Sequence, residues 1–410
     1  MLETTKTCQE EMLDGKPCGH ELYDDERCIF HSDKKDKDLG LFQKRLDEIF
    51  KEENLNAYDF TRFIFAKGAV LPKKFNKRVI LEEAVFKDKA DFDDATFEGR
   101  ANFGECWFEG EARFSGATFK DLANFCMATF QDATHLDGAT FEGKVNFSYA
   151  VFNDLANLSG ATFKSGAYFV NPAFVKRVLF TGSTFEEALV MNTEAFFNKD
   201  KKDEDNKKDK KKNKDKKKKK DKKKNEDEGA FCDVADFTSI KFSTPEKVEF
   251  HKVDLSRCRF LNTDVSNVQL TDVVWSHKKG KGRNSAFDEI ATKFLKDKNY
   301  ALIAQLCRRL RANYEKNLRY SEAGDFYIGE MEVTRKAEKN IFKSFPLVFY
   351  KAISNYGESY YRPLGWIAAI LLIFPLLFMF AGIEPISLDS TNPMEEIIHY
   401  KLDFGSTKSF

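Results

Sequence analysis

Residues 90–133 read as four lines of eleven: ADFDDATFEGR, ANFGECWFEGE, ARFSGATFKDL and ANFCMATFQDA. Their third positions begin a series in which Phe92, Phe103, Phe114, Phe125, Leu136, Phe147, Leu158, Phe169 and Phe180 lie eleven apart. A second series, offset by five, runs from Phe97 through Phe108, Phe119, Phe130 and Phe141 to Phe185. Alanine stands two residues before most members, as at Ala90, Ala95, Ala101, Ala112 and Ala117. Self-similarity at a fixed period marks a repeat architecture and is read first.

Steps of five and six fit neither the 3.6-residue face of a helix nor the two-residue face of a strand. An eleven-residue period could wind helices into a right-handed coiled coil. However, glycine and β-branched threonine recur throughout, and no helical stripe survives them. The remaining solution is a chain that turns a corner after each short segment. The aromatic and the alanine two before it then both point inward, and polar residues form corners and outer surface. One coil of four sides takes two periods, about 22 residues, with coils about 4.8 Å apart as neighbouring strands are.

From Val79 to Trp275 these residues resemble the pentapeptide-repeat family, whose unit is a small residue, a polar one, Leu or Phe, and two variable ones. The resemblance implies a right-handed four-sided β-helix, a mainly β solenoid that serves as a scaffold. The five–six alternation departs from the family's constant step and is expected to widen alternate corners.

Formal charge is balanced, 66 bases against 66 acids, but segregated. Residues 79–196 hold eighteen acids against nine bases, whereas 199–228 hold seventeen lysines against ten acids and no apolar residue. A run of that composition buries too little to offset its ordering entropy, so the insertion 197–229 is read as a disordered loop interrupting the domain 79–275. Acids interrupting its lysines favour a solvated loop over a nucleic-acid tail. Beyond it, Phe250, Leu255, Phe260, Val265, Leu270 and Trp275 follow strict five-residue steps. Eight scattered cysteines suggest a reducing compartment.

Residues 1–35 hold Cys8, Cys18, Cys28 and His31, a ligand set for one structural zinc ion. Cys28 and His31 have the close spacing of one half of a zinc site, and four protein ligands leave no open position for catalysis. The segment is too short and polar to fold unaided, so metal would supply its folding free energy. Cys8 and Cys18 are wider apart than the usual close pair. His20 is an alternative fourth ligand, and unliganded thiols on a disordered tail are the competing reading. The head also resembles a Cys-rich opening found in some bacterial pentapeptide-repeat proteins. Residues 36–78 supply an amphipathic helix from about Asp38 to Glu53, suited to cover the open edge of the first coil.

After the ladder, residues 285–345 read as a helical hairpin capping the other end, with a turn at Ser321–Asp325. Leu364–Ile383 carries no charge, and twenty apolar residues suffice to span about 30 Å of hydrocarbon, so it is read as a transmembrane helix. Tyrosines and bases precede it and acids follow, which orients the amino-terminal bulk to the cytoplasm of a bacterial inner or plasma membrane. Residues 384–410 form a polar tail with helical character around Met394–Tyr400. No motif assembles nucleophile, base and orienting group, so no catalytic residues are assigned. The expected function is a membrane-anchored, non-enzymatic scaffold meeting a protein partner on a solenoid face, nucleic acid being disfavoured. Two alternatives stand beside it: an acidic-rod DNA mimic acting on a topoisomerase or other DNA-binding enzyme, which the family resemblance implies, and a channel or transporter subunit, which would have to oligomerise.

Overall fold

Each line of eleven folds as two short strands and two corners, and the two corners differ. The computed structural model describes residues 6–193, 234–277, 282–292, 299–381, 383–386 and 399–402. In the line from Ala90, the strands are Ala90–Asp91 and Thr96–Phe97. Between them the Ala95 N–H donates to the Phe92 carbonyl at 3.0 Å, and Asp94 has φ +57°. This is a β-turn with its third residue left-handed. The same conformation returns every eleventh residue, at Glu105, Gly116, Met127, Gly138, Tyr149, Gly160, Asn171 and Gly182. The six-residue step instead passes a longer bend such as Glu98–Arg100, so the extra residue sits at alternate corners.

Two lines close one coil. The chain visits Arg78–Ile80, Val85–Phe86, Ala90–Asp91 and Thr96–Phe97, then returns at Ala101–Asn102 beside Val79 and Ile80. Four parallel sheets result, of nine, seven, seven and six strands. Their register is 22 residues through the middle, as in Ala101↔Ala123 and Thr118↔Thr140. It shortens to 20 at Phe250↔Leu270, where the five-residue steps become strict. Leu189–Asn192 pairs directly with Val248–His251, so the ladder continues across the insertion. Residues 194–233, which include the lysine run, lie outside the described residues.

The interior is stacked phenylalanine. Phe75, Phe97, Phe119, Phe141, Phe163 and Phe185 form one column with centroids 4.5–5.1 Å apart. Phe65, Phe86, Phe108, Phe130, Phe152 and Phe174 form another at 4.3–5.0 Å. Ala95, Ala117, Ala139 and Ala161 are fully buried beside them. Small residues leave the space that the rings fill, which is the packing the two-residue offset dictates.

Both ends of this core are covered. At the first coil, helix α1 (Leu39–Lys51) starts on Asp38, whose carboxylate accepts from the Leu41 N–H at 3.0 Å. It buries Phe42 and Leu46. Phe50 meets Tyr58 and Phe60 edge-on at 5.1 and 5.6 Å. At the last coils stand α2 (Phe287–Ala291), α3 (Tyr300–Lys316) and the start of α4 (Tyr320–Ala337). The Trp275 indole donates to the Tyr314 hydroxyl at 2.6 Å, and Phe326 packs on both rings. The Asn313 amide donates to the Val265 and Val268 carbonyls at 2.8 and 2.6 Å, capping peptide groups that a further coil would otherwise pair. The turn expected at Ser321–Asp325 lies earlier, where Asn317 caps α3 and Leu318 has φ +58°. Gly324 is simply absorbed into α4, since one glycine costs a helix only about 1 kcal/mol.

The chain divides into two compact units, Met1–Glu330 and Met331–Phe410. The second holds the end of α4, α5 (Ile341–Ser354), α6 (Tyr361–Ala381) and a two-stranded pairing of Ile383–Ile386 with His399–Leu402. Within it Glu332 meets Arg335 and Lys351, and these cations hold its carboxyl down at about 2 against its burial. The transmembrane reading of Leu364–Ile383 is corrected here. Among the described residues no helix is long and apolar enough to cross a membrane. The helix holds Leu364 through Ala381 and ends there. Ile383, expected to end the span, starts a strand instead. The helical character expected near Met394–Tyr400 is also revised: 394–398 lie outside the described residues, and His399–Tyr400 are extended.

Candidate metal centre

The amino-terminal segment is a small hairpin laid over α1 and the first coil. Thr7 bridges Glu21 and Glu11 bridges Pro17, with the chain reversing at Gly15. The Cys8 N–H donates to the His20 carbonyl at 2.8 Å, and the Gly19 N–H donates back to the Cys8 carbonyl at 3.0 Å. Cys8 and Cys18 therefore sit on facing arms, which is how two cysteines ten apart in sequence reach one point. Leu22 then bridges Cys28, and a tight turn, with the Ser32 N–H on the Cys28 carbonyl at 2.9 Å, carries His31 back beside Cys28.

The four side chains expected as ligands come together. The sulfurs of Cys8, Cys18 and Cys28 and the His31 imidazole present atoms within 4.8 Å of one another. Cys18 Sγ is 3.7 Å from Cys28 Sγ, and His31 Nδ1 is 3.6 Å from Cys8 Sγ and 3.3 Å from Cys28 Sγ. A tetrahedral ion with Zn–S of about 2.3 Å and Zn–N of about 2.0–2.1 Å requires edges of about 3.8 Å between sulfurs and about 3.5 Å from sulfur to nitrogen. These three of the six edges fit the values. Cys8, Cys28 and His31 are buried.

The far side of the imidazole fixes its tautomer. His31 Nε2 lies 3.1 Å from the Thr61 carbonyl oxygen. A carbonyl only accepts, so Nε2 carries the proton and Nδ1 turns its lone pair toward the sulfurs. The Cys18 thiol's hydrogen bond holds Cys28 down to about 3, against its burial, while the same bond pushes Cys18 up. His20, the alternative ligand, lies outside the cluster and packs edge-on against Phe30 at 5.2 Å.

The centre is joined to the solenoid. Phe30, between Cys28 and His31, stacks on Phe63 at 4.4 Å and 7°. The Ile64 N–H donates to the Phe30 carbonyl at 2.7 Å, and Lys37 Nζ donates to the Ile64 carbonyl at 2.6 Å. Thr61 and Ile64 act through main-chain atoms, which no side-chain motif announces. Phe30 did carry a signal, as the one aromatic between the two close ligands.

The repeats themselves place the chain among known proteins. The family model described as pentapeptide repeats matches residues 81–125 and 128–171. The chain carries pentapeptide repeats. Its solenoid extends past the matched lines at both ends, from Ala57 to Thr271 in the nine-stranded sheet. An uncharacterized protein of Methanocaldococcus jannaschii is 33% identical over 151 residues, covering 32% of this pentapeptide-repeat chain and 33% of that protein. The chain thus spans about a third of the length of the curated relative it matches. No solved structure matches it significantly.

Among the described residues, Cys8, Cys18, Cys28 and His31 make up the one cluster of three or more His, Cys, Asp or Glu side chains close enough to hold an ion. His135 faces outward from its strand, 3.9 Å from Asp137, and Cys106 and Cys258 are buried, which pushes their thiols up. Buried thiols of that kind are inert core residues rather than nucleophiles.

Proposed function

We propose that this pentapeptide-repeat solenoid is a non-enzymatic binding scaffold whose partner is a protein met on an outer face. The observation carrying this reading is the filled interior: aromatic columns spaced 4.3–5.1 Å leave recognition to the outside. Rigid faces with a fixed coil repeat suit a regular or extended partner surface. Acids and bases alternate along one outer column, with Glu98 on Lys120 at 2.8 Å and Glu142 on Lys164 at 3.0 Å. That pairing favours a protein partner over the uniformly acidic rod a DNA mimic needs. The test is photo-crosslinking from outward positions on three sheets, at Asn124, His135 and Thr140, with the full chain in its own cells. One face should trap a defined protein partner. Adducts spread evenly over all faces would refute the scaffold reading.

We propose further that Cys8, Cys18, Cys28 and His31 hold one zinc ion in a closed, structural site. The fit of the edges to a tetrahedron and the Nε2–H···O=C bond of His31 support this. When bound, the ion would tie the hairpin to the first coil through His31 and Thr61, closing an edge otherwise open to strand addition. Elemental analysis of the purified full chain should give one zinc per chain, and substoichiometric metal after refolding with zinc would refute it.

A further inference from the structure

The outward residues of the four sheets are not alike. On two sheets, outer strand positions mostly carry charged or strongly polar groups, such as Asn102 and Asn124 or Asp91 and Arg113, and on a third they carry Thr96, Thr118, Thr140, Thr162 and Thr184 between Lys74 and Lys241. The six-stranded sheet presents Ile64, Val85, Trp107, Thr129, Val151 and Ala173. Its flanking corners continue the pattern, with Met127 51% exposed, Tyr149 48% and Val175 44%, beside Trp107 at 43%. Over the coils of Thr129, Val151 and Ala173, the corner, strand and following positions carry no charge, in a chain that is 32% charged. Aromatic, methionine and amide groups of this kind form the centres of protein interfaces, where charged residues are depleted.

The order of residues along this face identifies its occupant. Numbering the four coils by Trp107, Thr129, Val151 and Ala173, reversal of the order brings Trp107 opposite Ala173 and Thr129 opposite Val151. At the corner before the strand it sets Met127 opposite Tyr149, and at the position after it Gln131 opposite Asn153. The largest side chain meets the smallest and amide meets amide, while Glu105 and Glu109 of the outermost coil stand opposite Asn171 and Val175. Two positions further, the same reversal sets Glu111 opposite Arg177, at the two ends of the face. Asp132 would meet Asp154, but Lys176 already neutralises Asp154 at 2.6 Å. A surface complementary to its own reversal is what a twofold interface requires.

We propose that the six-stranded sheet packs against the same sheet of a second copy, with the coils antiparallel. The twofold axis passes between the coils of Thr129 and Val151, and Glu111 of each copy meets Arg177 of the other. Facing sheets pack about 10 Å apart with interdigitated side chains. The face is only about four coils, roughly 19 Å, long, so the dimer is a reversible one. This inference is independent of which protein the scaffold reading concerns, since it uses a different surface test.

Sedimentation velocity of the full chain over a dilution series reads the equilibrium. Wild-type chain should dissociate reversibly on dilution. Glu111→Lys and Arg177→Glu should each raise the apparent Kd roughly tenfold, since each creates two like-charge contacts in a homodimer. An equimolar mixture of the two variants should restore association, because every contact in that heterodimer again pairs opposite charges. Thr129→Arg, at the centre, should abolish dimers without changing the circular dichroism. A monomer at every concentration, a dimer indifferent to all three substitutions, or failure of the mixture to recover would each overturn the proposal. Photo-crosslinks from Thr129 that map to a different protein, with none to the chain itself, would also overturn it while leaving the scaffold reading intact.

Discussion

Replacing Phe119 by alanine tests the aromatic columns most directly. The ring is fully buried and stacks on Phe97 at 4.7 Å and on Phe141 at 4.9 Å, with interplanar angles of 1° and 3°. Phe125 adds an edge contact at 6.0 Å. Truncating a buried phenylalanine costs about 3–5 kcal/mol, depending on how far the surroundings collapse. Here collapse is resisted by the ladder on both sides, with the Thr118 N–H on the Ala95 carbonyl at 2.8 Å and the Lys120 N–H on the Phe97 carbonyl at 3.0 Å. Aromatic pairing adds about 0.5–1.5 kcal/mol per contact, so the loss should fall toward the top of that range. Solenoids need not unfold in one step, and native-state hydrogen exchange is therefore the assay. Amides of Thr118, Lys120 and Thr140 should lose the most protection, with the effect fading over neighbouring coils. Lys120→Ala, one residue away on the outer surface, should leave exchange unchanged. Equal responses to the two substitutions would refute the inward assignment of the phenylalanine series.

Three further outcomes are expected. Cys28→Ser should lose the bound zinc and loosen exchange at Ile64 and Thr61, while amides near Thr140 keep their protection; retention of full zinc would remove Cys28 from the ligand set. Gly110→Ala should disturb the coil beneath, because its Cβ would stand 2.7 Å from the Asp88 carbonyl carbon, whereas Gly160→Ala, with nothing within 4 Å but φ +66°, should cost only about 1–2 kcal/mol of left-handed strain. Burial pushes the Asp288 carboxyl up to about 6, so the folded state binds its proton more tightly than the unfolded state does; stability contributed by this group falls as pH rises from about 4 to about 6, and Asp288→Asn should flatten that window in urea titrations.

The sequence made the coil legible because each buried ring needs a small neighbour two residues earlier, a constraint repeated every five or six residues. The metal cluster was legible for a different reason: Cys28 and His31 are close enough in sequence to declare a shared centre. The route by which Cys8 and Cys18 join them was not, because it depends on main-chain bonds such as Cys8 N–H to His20 carbonyl. Thr61 was invisible for the same reason, since it serves through its carbonyl. The reading of Leu364–Ile383 failed at a different point. The stretch is helical as far as Ala381, but Ile383 leaves the helix and pairs as a strand with Leu402. Likewise Ile341–Ser354 passed unread as a helix, its interior Pro346 masking the period.

The outer columns follow a logic that the eleven-residue line alone hides. The position after the second phenylalanine reads Glu98, Glu109, Lys120, Gln131, Glu142, Asn153, Lys164, Val175 and Glu186 along the chain, with no evident order. Spatial neighbours are 22 apart, so the line separates into two columns on different sheets. One is Glu98, Lys120, Glu142, Lys164 and Glu186, a strict alternation in which Glu98 pairs with Lys120 and Glu142 with Lys164. The other is Glu109, Gln131, Asn153 and Val175, charged only at its first member, with Asn153 donating to Gln131 at 3.2 Å. Exposed ion pairs of the first kind add little stability individually. Their alternation instead prevents like charges from stacking at the coil spacing, where repulsion would recur at every step. The interior fixes the coil with one rule for all four sides. The exterior obeys a separate rule on each side.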